Sequence, residues 1–294
     1  MMDIHSHDRK AANLKKENEV GILFSADSAN AISYMPFSDQ AGYMSILWQM
    51  YSALYDLNVE ADFVRAGDTL SGYRVLLVPP LYSASDAVLQ QIADYVKSGG
   101  EVVMAFKSGF ADEHSTVRWT MAPGPLREAA GFHYQEFTSL AEPLSLAPDP
   151  FNVGAENTGS VWAEFLIPDT AQVVASYSHP YWHFPAVTRN SYGKGTLTYE
   201  GTVVSGTLQR EIVRDALKRA GLSSADQDLE EAVRVRHGRD PQGKRLHYYL
   251  NFSGQGQSVP YRYASGSDLL TNGPVEHGGA LILKPWDLAI VAED

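Results

Sequence analysis

The chain has 294 residues, 44% of them hydrophobic and 20% charged, a composition able to bury a core and long enough for one large domain or two ordinary ones. Its 23 basic against 35 acidic residues leave a net charge of −12, which argues against a nucleic-acid or anionic-membrane partner, since both require clustered Lys and Arg. With no cysteine, disulfides, thiolate nucleophiles and Cys-rich zinc sites are excluded together, and a reducing cytoplasm is the expected compartment.

Residues 1–18 are polar, carry no periodicity and lack the apolar core of a signal peptide, so they read as a tail. His5 and His7 within it have metal-ligand spacing, but no third ligand accompanies them. Nowhere is there a run of about 18 apolar residues, so no membrane-spanning segment is expected. Val20–Ser25 reads as a strand and 26–40 as a polar loop. Ala41–Leu57 is the strongest helical pattern. One stripe holds Met44, Leu47, Trp48, Tyr51, Leu54 and Tyr55; the other holds Ile46, Met50, Ala53 and Leu57. Together they span roughly 220° of the helix, where a helix lying on a single sheet needs nearer to about 100°. The excess calls for a second covering surface, from this chain or from another subunit. Tyr43, Ile46, Met50, Ala53 and Leu57 are the candidate interface residues.

A second strand is expected over Asn58–Ala66 and a third over Tyr73–Val78, followed by a loop, a helix over Asp86–Lys97 with Ser85 as N-cap, a stop at Gly99-Gly100, and a fourth strand over Glu101–Phe106. Apolar rather than alternating strands in a βαββαβ order argue for a parallel sheet covered on both faces. Less regular sequence follows: a short helix over Leu126–Ala130, a Pro-rich connection over Pro143–Pro150, and strands at Val161–Ile167 and Val173–Tyr177 forming a hairpin or an excursion from the sheet. Pro185–Asn190 and Thr196–Tyr199 flank the turn Tyr192-Gly-Lys-Gly195, and a helix runs over Gln209–Ala220. Beyond a boundary near Ser223–Asp228, period-two strands at short spacing predict a small antiparallel sandwich or barrel. The expected domains are thus 1–18, 19–223 and 224–294.

The turn Lys107-Ser108-Gly109 ends the fourth strand at the carboxyl edge of the predicted parallel sheet, where open α/β folds carry ligands or nucleophiles. Ser108 would need a base such as His114, His179 or His183, and its flanks are not G-x-S-x-G, so a structural turn is the preferred reading over a Ser-based hydrolase. Asp112, Glu113 and Glu200 are candidate paired carboxylates, but adjacent loop acids are commonly solvated or cap turns, and some five parallel strands are too few for an eight-fold barrel. His179 and His183 lie among Tyr181, Trp182 and Phe184; Pro180 and Pro185 disfavour a helical metal site, and loop packing is the simpler role. Tyr181, Trp182 and Trp286 remain as candidates for stacking on a sugar. Neither a metal site nor a cofactor loop is legible.

The string Pro185-Ala-Val-Thr-Arg-Asn-Ser-Tyr-Gly-Lys-Gly-Thr196 with Tyr199-Glu-Gly-Thr202 resembles the middle domain of family-42 glycoside hydrolases, the β-galactosidases. So does Gly99–Glu113, with its strand, Ser-Gly and acidic pair, while Leu246–Ser253 and Leu281–Val291 resemble that family's small carboxy-terminal β domain. The resemblance covers roughly residues 15–294. It implies a flavodoxin-like domain, related to class I glutamine amidotransferases without their cysteine, that builds a homotrimer, followed by a β domain. The family's (β/α)8 barrel has no counterpart in these residues, so no catalytic glutamate carries over. What the resemblance implies is a non-catalytic scaffold portion that associates with itself and with a catalytic barrel acting on galactosides. A carbohydrate-binding module is the alternative.

Overall fold

A computed structural model describes residues 14–38 and 41–294, so His5 and His7 lie outside the described residues. Two compact units are present. One comprises Glu19–Tyr55 and Ala61–Ser223; the other comprises residues 14–18, Asp56–Glu60 and Ser224–Asp294.

The first unit is built on an 11-stranded mixed sheet. β1 (Val20–Phe24), β2 (Asp62–Arg65), β3 (Val75–Val78) and β4 (Glu101–Ala105) are joined by α1 (Ala26–Tyr34), α2 (Tyr43–Asp56) and α3 (Asp86–Ser98). They pair in parallel in the order β2-β1-β3-β4, and strand Gly195–Glu200 adds a fifth parallel member beside β4. All four residues of β3 and all five of β4 are buried. Successive strand residues point to opposite faces, so this part of the sheet is covered on both sides. On one face Leu76, Val78, Val102, Met104, Leu197 and Tyr199 pack with Leu89, Ile92 and Val96 of α3 in a single core cluster. Ser85 caps α3 by accepting the Val88 N–H, and Gly99 ends it with φ 123°, a conformation that favours glycine.

Three expectations need correction. The segment after β1 is largely helical: α1 is capped by Ser25, whose hydroxyl accepts from Ser28, and it buries only Ser28 and Ile32, too little apolar surface to register as periodicity. Strands Thr158–Glu164 and Gln172–Tyr177 form neither a hairpin with each other nor an excursion; both belong to the main sheet, separated there by Leu144–Ala147. The candidate interface residues Tyr43, Ile46, Met50, Ala53 and Leu57 are buried within the chain itself. They occupy i, i+3, i+4 positions that face inward, so they cannot serve as a contact surface for another subunit.

The second unit is an all-β sandwich. Its five-stranded sheet contains the hairpin Val233–Arg239/Arg245–Asn251, flanked by Leu288–Glu293, and a separate ribbon pairs Gln257–Pro260 with Ala280–Leu283. Val233, Val235, Tyr249, Val259, Tyr261, Leu283 and Val291 form its core.

Candidate functional site

The loop leaving β4 is the position at which parallel α/β sheets present functional side chains. Here it carries backbone in the left-handed region. The residue at φ 58° is Lys107, not Ser108, and Gly109 follows at φ 71°. A Cβ on Gly109 would stand 2.5 Å from the Pro123 carbonyl oxygen, so the loop closes too tightly for any side chain there. Ser108 is fully buried; its hydroxyl donates to the Ala105 carbonyl at 2.8 Å and accepts the Leu81 N–H at 3.0 Å. The proton a base would have to remove is already engaged by the backbone. His114 and His183 are exposed, and His179 stacks on Trp182 at 4.3 Å. Among the described residues none of these histidines bonds to Ser108, whose hydroxyl serves the turn itself, and this counts against the Ser-based hydrolase.

What the loop does hold is a buried cation. Lys107 points its ammonium at aromatic faces, with Nζ 3.4 Å from the Phe110 ring centre, 3.2 Å from Phe137 and 4.9 Å from Trp162. The rings brace one another, Phe137 stacking on Trp162 at 4.9 Å. Ring quadrupoles attract a cation most when water is excluded. Below lies Glu164, also fully buried. Its carboxylate accepts the Lys107 backbone N–H at 2.9 Å on one oxygen and the Tyr199 hydroxyl at 2.8 Å on the other. Burial pushes Glu164 up to about 7 against the opposing pull of Lys107, and burial lowers the Lys107 amine to about 8 although Glu164 opposes it. The cluster ties the elbow loop to strand Thr158–Glu164 and to the adjacent parallel strand. In the sequence Ser108 stands out over its neighbour because its hydroxyl is the obvious nucleophile. The signal for Lys107 is its place directly after the apolar run Val102–Phe106, where a charged residue must find compensation.

The candidate carboxylates are not paired for catalysis. Asp112 accepts the N–H groups of Thr116 and His114, both at 2.9 Å, which holds its carboxyl below the usual range and makes it a turn cap. Glu113 is exposed. Glu200 is buried at the end of its strand, accepts from Gln209 Nε2 at 2.7 Å, and is pushed by burial up to about 8. Of the aromatic candidates, Tyr181 is 90% exposed and Trp286 71% exposed, the latter in the second unit. Trp182 has one face covered by His179, with Phe165 at 4.9 Å and Tyr177 at 5.3 Å against it. Among the described residues no group of His, Asp and Glu is arranged to hold a metal, and no helix is long and apolar enough to cross a membrane.

A different surface stands out on α2. Beside its buried stripe, Met44 is 59% and Trp48 64% exposed. Trp48 packs on Tyr51, Tyr51 on Tyr55, and Tyr51 stacks on Phe63 of β2, itself 57% exposed. β2 is the edge of the sheet. Isolated exposed apolar residues are common, whereas a contiguous aromatic strip along a helix and an open strand edge marks a contact surface.

The family model described as the β-galactosidase trimerisation domain matches residues 18–223, and that of the β-galactosidase C-terminal domain matches residues 232–293. The chain belongs to glycoside hydrolase family 42. It comprises the trimerisation and C-terminal domains of such β-galactosidases. A β-galactosidase of Lactobacillus acidophilus is 27% identical over 282 residues, which span 94% of this chain and 41% of that protein. One from Halorubrum lacusprofundi is 30% identical over 227 residues, 74% of this chain and 32% of that protein. The crystal structure of a β-galactosidase from Bacillus circulans superposes with a TM-score of 0.87 at 20% identity, covering 96% of this chain and 42% of that one. The family-42 chain thus spans about two-fifths of the length of curated relatives that match 94% of it.

Proposed function

We propose that this chain is the oligomer-building, non-catalytic portion of a family-42 β-galactosidase, that three copies associate, and that the assembly serves a catalytic barrel acting on galactosides. The observation that carries the reading is the strip of exposed Met44, Trp48 and Phe63, joined through the half-buried Tyr51 and Tyr55, in a domain matched by a trimerisation family. The subunit contact is assigned to this strip in place of the buried stripe of α2. The strand order β2-β1-β3-β4 followed by a fifth parallel strand supports a flavodoxin-like, amidotransferase-related ancestry for the first unit, with Lys107 at the elbow where a nucleophile would stand. Ser108, locked between two backbone groups, supports the absence of hydrolytic chemistry at that elbow. A cytoplasmic setting belongs to the same proposal.

Sedimentation velocity or mass photometry of the chain at micromolar concentration tests it. Trimers are expected, dissociating when Trp48 is replaced by glutamate. A monomer across the accessible concentration range would sink the reading.

A further inference from the structure

The second unit contains four titratable side chains joined end to end. Asp226 Oδ2 lies 3.1 Å from His237 Nε2, His237 Nδ1 lies 2.8 Å from His247 Nδ1, and His247 Nε2 lies 3.0 Å from Glu293 Oε1. Each of these three links needs a proton. Two neutral imidazoles between two carboxylates carry only two, one on each ring. Placing those protons on the outer nitrogens, toward the carboxylates, leaves two lone pairs facing each other at 2.8 Å, an arrangement that repels. Placing one of them between the rings leaves a carboxylate facing a lone pair. On the Asp226 side the only other donor among the described residues is the Tyr263 hydroxyl, 3.3 Å from His237 Nε2, and its proton is already given to Asp226.

We propose that the histidine pair binds one additional proton, held between the two Nδ1 atoms as a single shared imidazolium charge, and that this proton is a pH-dependent clasp on the β sandwich. The clasp joins the turn Ala225–Asp228, both strands of the hairpin Val233–Arg239/Arg245–Asn251, and the terminal strand Leu288–Glu293. The surroundings suit a cation. From the turn, Asp226 is buried and also accepts the Tyr263 hydroxyl. From the segment after the ribbon strand, Tyr263 stacks on His247 at 4.0 Å and Tyr261 meets it edge-on at 5.9 Å. From the terminal strand, Glu293 is the other carboxylate, with Asp294 next to it. From the hairpin, Tyr249 lies within electrostatic reach of Asp226, and Arg236 is drawn to Glu60 at 3.9 Å. Glu60 also accepts the His237 N–H at 3.3 Å, and Lys16 donates to the His237 carbonyl at 3.1 Å.

The device has two limits of opposite sign. Raising the pH removes the shared proton, breaks the central hydrogen bond and weakens the clasp. Lowering the pH drives a second proton toward the pair, which sets N–H against N–H. Burial, and then the charge on His237, hold His247 below its ordinary value despite Glu293 and Asp226. The unfolded chain therefore takes up that second proton first, and stability is lost as pH falls through the ordinary imidazole range.

Histidine-selective 15N labelling of the whole chain, which has nine histidines, tests the proposal directly. At neutral pH we expect one exchange-protected ring proton that correlates with both Nδ1 nuclei and shows scalar coupling across the hydrogen bond. It should vanish at alkaline pH together with a fall of several degrees in Tm. His237→Asn places a neutral amide near the Nδ1 position, so its Tm should lose the alkaline fall. Neutral-imidazole nitrogen shifts on both rings from about pH 6 to 8, without a shared proton, would overturn the proposal even if the variant failed to fold.

Discussion

Two aromatic clusters in the first unit are built from similar residues and behave oppositely. Phe110, Phe137 and Trp162 close over the ammonium of Lys107, above a buried carboxylate. Trp48, Tyr51, Tyr55 and Phe63 line up along α2 and an edge strand and enclose no charge. Rings around a buried charge are already committed, because removing them would strand a desolvated cation. Rings on an open helix face have no such duty and gain most by meeting another surface. Variants on the two clusters should therefore divide cleanly: stability responds at the first, association at the second.

At the caged cluster the largest effect is expected at Glu164. Glu164→Ala leaves the Lys107 N–H and the Tyr199 hydroxyl without their acceptor and the Lys107 amine without its counter-charge. Unsatisfied buried donors cost about 1–3 kcal/mol each, so a loss of about 3 kcal/mol in urea unfolding is expected. Glu164→Gln keeps an acceptor and should lose less. Equal losses would mean that the carboxylate's hydrogen bonds are not what holds the loop.

Next comes a pH effect from the same buried region. Glu164 and Glu200 are raised from 4.5 to about 7 and about 8. The native state keeps protons that the unfolded chain has released, so their contribution is full below about 4.5 and declines as pH rises to about 8. Glu200→Gln can still accept from Gln209 but does not ionise. Its stability relative to the unmodified chain should improve by about 2 kcal/mol between mildly acidic and mildly alkaline pH, one pKa unit being worth about 1.4 kcal/mol. A constant difference across that range would remove Glu200 from the account.

Lys107→Met should matter less. Methionine fills the same cage without a charge to desolvate, while the attraction to the rings is lost. These terms oppose, so a net loss of about 1 kcal/mol is expected. A loss matching that of Glu164→Ala would show that the cage, not the carboxylate, organises the elbow.

Most of this architecture was legible because its signals are local. The buried strands Val75–Val78 and Glu101–Ala105, the cap at Ser85 and the stop at Gly99 each follow from a few adjacent residues. The family string around Tyr192–Thr196 located the turn between two paired strands. What escaped depends on partners distant in sequence. α1 docks through Ser28, whose hydroxyl exchanges hydrogen bonds with Ser83, 55 residues on. Lys107 is compensated by Glu164, 57 residues on, by Trp162 of the same strand, and by Phe137 of another segment, with only Phe110 close by in its own loop. The two stripes of α2 were both visible as apolar, but hydropathy cannot rank them: Met50 and Trp48 look alike until the sheet buries one and leaves the other in solvent.

That last distinction yields the smallest stability effect and the sharpest test. Trp48→Glu replaces a side chain that is mostly in solvent, so the folded subunit should change by no more than about 0.5 kcal/mol. Met50→Glu, in contrast, buries a charge in the core and should unfold the domain. If the exposed strip is the subunit contact, Trp48→Glu places a carboxylate in the centre of an apolar interface, where it must be desolvated without a partner. Association should then weaken by at least about tenfold, equivalent to about 1.4 kcal/mol, while the unfolding transition of the dilute subunit stays in place. Retained association would move the contact elsewhere; a large loss of stability would mean that Trp48 serves the subunit's own fold. Only the combination of an intact fold and lost association separates the strip from the cage.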